Sequence, residues 1–248
     1  MFIHNIDPVL FALGPLEIRY YGVIYALGFV IAYFLLRHFI RQKKLQMQEQ
    51  DLDTYIMYLM LGVVLGARIF EILFYNLLFY LEHPLEILAI WHGGLSFHGG
   101  LVGAILATWL FCRKKQVAFL HMADYVVIPT ALALALGRIG NFLNGELPGR
   151  VTDVWWAVKF PGYDGFRHPS QLYESAKNIL IFLVLLVQVR KKRKDGYLFG
   201  LFLLLYGVLR FLVEFVREPE TMVGFLTMGQ ALSIPVALLG LYLVIKKR

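Results

Sequence analysis

The sequence predicts an all-α integral membrane protein with seven transmembrane helices, a small periplasmic cap, an N-terminus outside the cytoplasm and a C-terminus inside it. Its 248 residues are 59% hydrophobic and only 17% charged, with a mean hydropathy of +0.64. Soluble domains are about half apolar and a quarter charged. Apolar runs recur at the length of a membrane span, and basic residues gather between them. We therefore expect one polytopic membrane domain over residues 1–248.

Seven apolar runs of about 20 residues are long enough to cross roughly 30 Å of hydrocarbon as helices. They lie near 18–36, 53–75, 96–112, 118–138, 171–189, 197–216 and 228–245. Residues 139–170 form the largest connection on the outer side. This segment is rich in Gly, Pro and aromatic residues, which is typical of a small ordered cap at the membrane interface.

Four basic clusters set the orientation of these spans. The clusters lie within 37–44, 113–115, 190–194 and 246–248 and hold 15 of the 24 lysines and arginines. With seven spans all four fall on one side of the membrane, and that side is cytoplasmic because positively charged loops stay inside. The formal net charge of +7 is therefore explained by topology, and no nucleic-acid partner is expected.

Several polar residues lie within the apolar runs at one predicted depth. At about 1.5 Å per helical residue, Arg68, His98, Arg210 and Glu214 lie roughly 20–26 Å from the cytoplasmic boundary. Arg138 ends its own predicted span at about the same level. Charged groups at this depth normally face a partner or a wet cavity. The layer therefore indicates a site in the outer third of the membrane.

The spacing of these charges leaves two interpretations open. Arg210 and Glu214 stand at i,i+4, and Arg68 and Glu71 at i,i+3, so each pair can meet on one helix face. Such pairs can simply hold a helix bundle together. Arg138 has no acid within one turn, so its charge is available to an anionic lipid phosphate, which the planar arginine fork binds well.

The segment "WHGGLSFHGGLVGAILA" at 91–107 places paired glycines on both sides of His98. Glycines weaken a regular helix and let the backbone approach a ligand closely. His98 could act as a base near neutral pH, or could be a buried histidine that hydrogen-bonds to a neighbouring helix. No spacing of His, Cys, Asp and Glu matches a metal site, so no metal is expected.

Two further features carry weaker signals. "HPSQLYES" at 168–175 opens a span with Ser170 as a possible N-cap, and a helix start is the better interpretation of Tyr173 and Glu174. The single cysteine, Cys112, lies far in predicted depth from His98, which argues against a Cys–His nucleophile.

With these residues in view, the chain resembles the bacterial phosphatidylglycerol–prolipoprotein diacylglyceryl transferase family along almost its whole length. The segment "GRIGNFLNGELPG" at 137–149 is similar to the specific signature of that family. The other matching segments are "IRYYGVIYALGF" at 18–29, "GARIFEILFYN" at 66–76, "GGLSFHGG" at 93–100, "HPSQLYE" at 168–174 and "YGVLRFLVEFVRE" at 206–218.

The resemblance implies a reaction and a location. The diacylglyceryl group of phosphatidylglycerol would pass to the lipobox cysteine thiol of a prolipoprotein, forming a thioether and releasing glycerol phosphate. The enzyme would use no cofactor and would act first in lipoprotein maturation. It would lie in the bacterial inner membrane, with its active site towards the outer leaflet and the signal peptide and lipid bilayer as partners.

The resemblance also assigns roles to individual residues. Arg138 and Arg210 would be catalytic by holding the phosphate and stabilising charge on the leaving group, and His98 would be the candidate base for the thiol. Glu214 would orient Arg210. The implied substrate-binding residues are Tyr21, Arg68, Arg138, Asn141, Glu146, Gly149, Arg210 and Glu214.

Two other classes of function remain at this stage. A transporter or flippase for an anionic lipid would usually show internal repeats and a site near the midplane. The predicted spans are odd in number and unrepeated, and their polar layer is displaced outward. A structural assembly factor would leave the unpaired Arg138 unexplained.

The basic clusters generate a prediction about topology. Reporter fusions at Lys115 and Lys192 should give a cytoplasmic signal, and a fusion near Asp164 should give a periplasmic one, because the positive loops stay inside. Fluorescence and alkaline phosphatase activity of matched fusions measure this directly. A cytoplasmic signal at Asp164 would refute the seven-span arrangement.

Overall fold

The computed structural model describes residues 1–13, 16–219 and 221–248, which are mostly helical. The described residues form eight α-helices: α1 Tyr20–Arg41, α2 Gln50–Phe70, α3 Leu77–Glu82, α4 Phe97–Lys115, α5 Phe119–Leu143, α6 Ser170–Gln188, α7 Tyr197–Val213 and α8 Met228–Lys247. Each of the seven predicted apolar runs coincides with one long helix. The short α3 lies in a predicted outer connection.

Five of these helices are long and apolar enough to cross a membrane: α1, α2 with its π-helical continuation to Tyr75, α5, α6 and α8. The apolar helix α7 is shorter, with 17 residues. Helix α4 has 19 residues and ends in Arg113, Lys114 and Lys115. Large apolar side chains such as Phe34, Leu61 and Leu238 are exposed on the spans, as expected for lipid-facing surfaces. These features describe a multi-pass membrane protein.

Helix α5 is longer than the sequence predicted. It runs to Leu143, so Arg138 lies five residues inside the helix and does not end it. Within this extension Gly140 packs against Tyr21, whose ring lies 2.9 Å from where a Cβ would stand. Gly145 then takes a φ of +70°, a conformation that favours glycine and commonly follows the end of a helix. The non-helical part of the predicted cap therefore begins after Leu143.

Short strands, which the all-α prediction did not include, lie outside the long helices. They are β1 Phe2–Ile3, β2 Val9–Leu13, β3 Leu16–Arg19, β4 Val158–Lys159, β5 Met222–Val223 and β6 Leu226–Thr227. β1 pairs with β4 in parallel, while β2–β3 and β5–β6 are antiparallel hairpins. Strands this short carry too few residues for an alternating pattern to be visible in the sequence.

The chain forms two compact units. The first comprises Met1–Leu35 and Ala123–Arg248, and the second comprises Leu36–Met122. In the first unit, α7 and α8 pack closely at Gly207, where a Cβ would lie 2.7 Å from the amide nitrogen of Ala237. Small residues at such contacts let helix backbones approach each other in membranes.

The second unit is built on the contact between α2 and α4, where glycines from both helices face one another. A Cβ on Gly66 would lie 2.9 Å from the Cα of Gly103, and a Cβ on Gly103 would overlap the carbonyl oxygen of Gly62. Tyr55 lies fully buried in the same interface and shares a hydrogen bond of 3.1 Å with the hydroxyl of Thr108. Close packing and a buried polar contact together hold the two helices.

The close packing of α2 and α4 predicts that one added methyl group lowers the stability of the protein. Gly103→Ala should lower the thermal midpoint of the purified protein, because overpacking costs about 1–3 kcal/mol and the neighbour is rigid backbone. Gly22→Ala is the matched control, since nothing lies within 4 Å of a Cβ there and alanine favours a helix. Unfolding followed by circular dichroism in detergent measures both. Equal midpoints would contradict the close packing of α2 and α4.

Candidate functional site

A cluster of six charged side chains lies in the first unit, on α5, α6, α7 and the turn after α7. We call it the charge cluster. Its members are Arg138, Glu174, Lys177, Arg210, Glu214 and Arg217. Four cations and two carboxylates give the cluster a formal charge of +2. The cluster therefore creates a positive electrostatic potential around its exposed groups.

Glu174 is at the centre of this cluster and is fully buried. Its Oε1 accepts a hydrogen bond of 2.9 Å from Nη1 of Arg210. Its Oε2 lies 3.0 Å from Nζ of Lys177 and 3.8 Å from Nε of Arg138. A buried carboxylate persists only where cations and donors compensate its lost hydration. Glu174 therefore links three helices, α5, α6 and α7.

Glu214 is the second buried carboxylate of the cluster. It lies 2.5 Å from Nη1 of Arg210, so the pair predicted from the i,i+4 spacing is present. It also lies 3.5 Å from Nε of Arg217 and accepts a hydrogen bond of 3.0 Å from the hydroxyl of Thr227. Arg210 is thus held between two carboxylates, Glu174 and Glu214.

The first turn of α8 contacts the side chain of Glu214. Thr227 caps this helix, accepting from the amide of Gln230 while the Gln230 side chain accepts from the amide of Thr227. Gly229 follows, and a Cβ there would lie 2.5 Å from Oε1 of Glu214. The carboxylate therefore lies against the first turn of α8, where the helix dipole favours negative charge.

The predicted signature residues form a chain of contacts that starts at Arg138. Nη1 of Arg138 donates to Oδ1 of Asn141 at 3.4 Å, and Nδ2 of Asn141 donates to Oε2 of Glu146 at 3.2 Å. The Gln171 side chain donates to the carbonyl of Glu146 at 2.5 Å. The structure therefore brings Arg138, Asn141 and Glu146 together, with Asn141 buried and Glu146 exposed.

Gly149 lies where three segments of the cap meet. Its amide donates to the carbonyl of His168 at 2.8 Å, and the amide of Arg150 donates to the carbonyl of Val216 at 2.9 Å. A Cβ on Gly149 would overlap the Val216 carbonyl and lie 2.8 Å from Cβ of His168. Only glycine allows the segment after the signature turn to approach the segment that carries Arg217.

Tyr21 lies on α1 and belongs to the same unit. Its ring packs against Gly140, the residue before Asn141, and its hydroxyl shares a hydrogen bond of 3.1 Å with Tyr25. The structure therefore places Tyr21 beside the helix that carries Arg138.

His168 forms a polar group with two aromatic side chains. The indole of Trp156 donates to the hydroxyl of Tyr173 at 2.5 Å, and that hydroxyl contacts Nδ1 of His168 at 3.2 Å. Partial burial lowers the pKa of His168 from its ordinary value, because burial disfavours the charged imidazolium. The lowered pKa favours the neutral imidazole, whose Nδ1 shares this hydrogen bond with Tyr173.

His98 lies in the second unit, in the first turn of α4, and its side chain is exposed. Nδ1 of His98 lies 3.4 Å from the hydroxyl of Tyr75, the last residue of the π-helical turn Glu71–Tyr75. The prediction that both flanking glycine pairs interrupt the helix is half correct. Gly93 and Gly94 take φ values of +89° and +69°, but the pair after His98 is helical and packs against α2.

Arg68 is buried in the second unit and binds backbone carbonyls. It donates to the carbonyl oxygens of Glu86, Ile87, Ala89, Gly93 and Gly94. Its guanidinium also lies 4.8 Å from the ring centroid of Tyr80. The expected pair with Glu71 is not among the described contacts, because Arg68 is occupied by the 86–94 loop and Glu71 accepts from Asn76.

Sequence reasoning missed three members of the charge cluster. Glu174 was interpreted as part of a helix start, and Lys177 and Arg217 received no role. The spacing held a usable signal: Lys177 follows Glu174 at i+3, and Arg217 follows Glu214 at i+3. Like Arg210 and Glu214, these pairs lie at the end of an apolar run, where an ionised group needs a partner.

Other nucleophiles and metal ligands do not contribute to the charge cluster. Cys112 is a free, buried thiol in the second unit. Within residues 1–13, 16–219 and 221–248, no three His, Cys, Asp or Glu side chains gather as a metal site would require. The partly exposed charged groups of the cluster are the guanidinium groups of Arg138 and Arg210.

Comparisons with known proteins agree on one family. The family model described as prolipoprotein diacylglyceryl transferase matches residues 8–246. The chain is 49% identical over 247 residues to a protein of Geobacter sulfurreducens, covering 97% of this chain and 95% of the relative. It is 47% identical to a relative from Nitratidesulfovibrio vulgaris (97% and 94% covered) and 44% identical to one from Legionella pneumophila (98% of each). All three relatives are named phosphatidylglycerol–prolipoprotein diacylglyceryl transferase.

Proposed function

The chain belongs to the prolipoprotein diacylglyceryl transferase family, and we propose that its charge cluster binds the phosphate of the donor lipid. The protein is a bacterial multi-pass membrane transferase that moves the diacylglyceryl group of phosphatidylglycerol to a prolipoprotein. This membership decides against the transporter and the structural assembly factor. The acceptor is the thiol of the lipobox cysteine, and glycerol phosphate is the leaving product.

The incomplete pairing of Arg138 carries the proposal. Among the described residues its side chain makes one hydrogen bond, of 3.4 Å to Asn141, and its nearest carboxylate oxygen is 3.8 Å away. Most of its five N–H donors are therefore left for a ligand. The side chain of Arg138 is 24% exposed, whereas that of Glu174 is fully buried. The cluster thus leaves Arg138 and Arg210 partly exposed and buries both carboxylates.

The phosphate gains negative charge during the reaction, and this change matches the net positive charge of the cluster. The phosphodiester of phosphatidylglycerol carries one negative charge, and a phosphomonoester carries about −1.5 to −2 at pH 7. The thiol sulfur forms a bond to the glyceryl carbon, and the carbon–oxygen bond to phosphate breaks. The electron pair of the broken carbon–oxygen bond goes to the phosphate oxygen. A cluster of net charge +2 stabilises this developing charge more than the starting diester, and that difference accelerates the reaction.

The other predicted residues of the first unit contribute to the site in this proposal. Arg210, fixed by two carboxylates, binds the phosphate beside Arg138, and Asn141, Glu146 and Gly149 shape the space for the glycerol head group. Tyr21 supports the helix of Arg138.

For the second unit we propose, separately, that His98 is the base for the lipobox thiol and that Arg68 is a substrate-binding residue. Arg68 also orders the 86–94 loop that precedes His98.

The finer topology is part of the same proposal. Helices α4 and α7 cross the membrane together with α1, α2, α5, α6 and α8, and the four basic clusters face the cytoplasm. The host membrane is the bacterial inner membrane. The charge cluster and the cap then lie towards the outer leaflet, where a signal peptide emerging from the membrane presents its cysteine.

The arginine fork generates a prediction about rate. Arg138→Lys keeps the charge but loses bidentate geometry, so turnover should fall about 10²–10³-fold, as for loss of one oxyanion donor. Arg210→Lys should behave alike, and Glu214→Gln should cost less because it acts through Arg210. Transfer from labelled phosphatidylglycerol to a lipobox peptide in liposomes measures this.

Arg193→Lys is the matched control for these variants, because Arg193 is exposed and lies over the ring of Tyr197. It should keep the wild-type rate. Wild-type turnover in Arg138→Lys would mean that this arginine only anchors its helix at the lipid head groups, a role that lysine fills equally well.

His98 generates a separate prediction. His98→Gln should lower kcat and leave the KM for phosphatidylglycerol nearly unchanged, because the imidazole acts on the thiol and not on the phosphate. The exposed His38 on α1 provides the control substitution His38→Gln. Steady-state kinetics with the lipobox peptide separate the two constants. Normal turnover by a folded His98→Gln enzyme would remove His98 from the mechanism.

A further inference from the structure

Lys177 is a buried cation to which the proposed reaction gives no task. It lies on α6 one turn after Glu174, and its side chain is only 4% exposed. The polar residues Gln171, Glu174 and Asn178 lie on the same buried face of the helix. A lysine within a membrane helix is unfavourable unless it finds a partner. Its burial therefore points to a specific contact.

The contacts of Lys177 direct it towards the carboxylate and away from any ligand. Its Nζ lies 3.0 Å from Oε2 of Glu174 and 4.1 Å from the ring centroid of Tyr206. The aromatic face attracts the ammonium group and holds it in place. Lys177 has little exposed surface with which to touch a phosphate, so its effect must pass through Glu174.

The oxygen that Lys177 contacts is the one closest to Arg138. Oε2 of Glu174 lies 3.8 Å from Nε of Arg138, beyond hydrogen-bonding distance. Without the lysine charge, the carboxylate would attract this guanidinium more strongly. Donors of Arg138 would then be used inside the protein. The formal charge of the cluster would also fall from +2 to +1.

We propose that Lys177 is a positioning residue: by neutralising Oε2 of Glu174, it leaves the guanidinium of Arg138 free to bind the phosphate of the donor lipid. The inference rests on the proposed function, since it needs a phosphate at Arg138. The positioning role of Lys177 differs from that of a purely stabilising ion pair in one respect. The lysine matters for lipid binding only while Glu174 carries its charge.

A double-mutant cycle separates a positioning role of Lys177 from a purely stabilising one. Lys177→Met removes the charge and keeps the length of the side chain, and Glu174→Gln removes the charge that Lys177 neutralises. The variant with both substitutions has the same formal cluster charge as the wild type, +2, and contains no unpaired buried carboxylate. The full-length protein is reconstituted with phosphatidylglycerol, and kcat and KM for the lipid are measured with a lipobox peptide.

We expect Lys177→Met to raise the KM for phosphatidylglycerol roughly 10-fold, in the range of couplings between contacting charges. Its kcat should change by less than about 3-fold. In the Glu174→Gln background, the same lysine substitution should change KM by less than about 2-fold. Lys192→Met, at an exposed lysine, is the matched control and should leave both constants unchanged.

Two results would overturn the proposal: an unchanged KM in Lys177→Met, or a KM that rises equally in both backgrounds. If Lys177→Met does not fold, the comparison of the double variant with Glu174→Gln alone still decides, since that neutral pair leaves no uncompensated charge. Failure of the proposed function would look different. It would show as normal turnover in Arg138→Lys, whatever Lys177→Met does.

Discussion

The burial of one carboxylate, that of Glu174, is the constraint on which the arrangement of the first unit depends. A fully buried carboxylate must be surrounded by cations, and here α5, α6 and α7 each supply one. Removing a partner of a buried ion pair typically costs about 3–5 kcal/mol, because it leaves an uncompensated charge. The three helices are therefore held in the register that places Arg138 and Arg210 side by side. The same interaction that stabilises the bundle aligns the two arginines that we propose bind phosphate.

Glycines make this arrangement sterically possible. Gly140 lets Tyr21 pack against the helix of Arg138, and Gly229 lets the Glu214 carboxylate lie against the start of α8. Gly149 lets the backbone after the signature turn approach the Val216 carbonyl next to Arg217. At each point a methyl group would push a charged or hydrogen-bonded segment away. The positions of the charged groups therefore depend on the close backbone contacts that these glycines allow.

The transferase needs no nucleophile of its own, because the attacking sulfur arrives with the prolipoprotein. The enzyme's own cysteine, Cys112, is buried in the second unit and has no role in the proposed reaction. What the enzyme must supply is an environment that favours a phosphate whose charge grows as the carbon–oxygen bond breaks. In the proposed mechanism Arg138 and Arg210 provide it, and the buried carboxylates of Glu174 and Glu214 fix Arg210 before substrate binds.

The sequence by itself determined the class of fold, the positions of the seven long helices and the family, because apolar runs and local motifs are properties of contiguous residues. It also identified Arg138, Arg210 and Glu214, since an ionised group in an apolar run is conspicuous, and Arg210 and Glu214 lie within a single turn. It did not assign Glu174 to the site, because Arg138 and Arg210 lie on two other helices and 36 residues separate Arg138 from Glu174. The tertiary structure decided that the Glu174 carboxylate contacts both Arg138 and Arg210 and that Arg68 binds loop carbonyls. Each of these depends on packing between residues distant in the chain, and no local pattern records it.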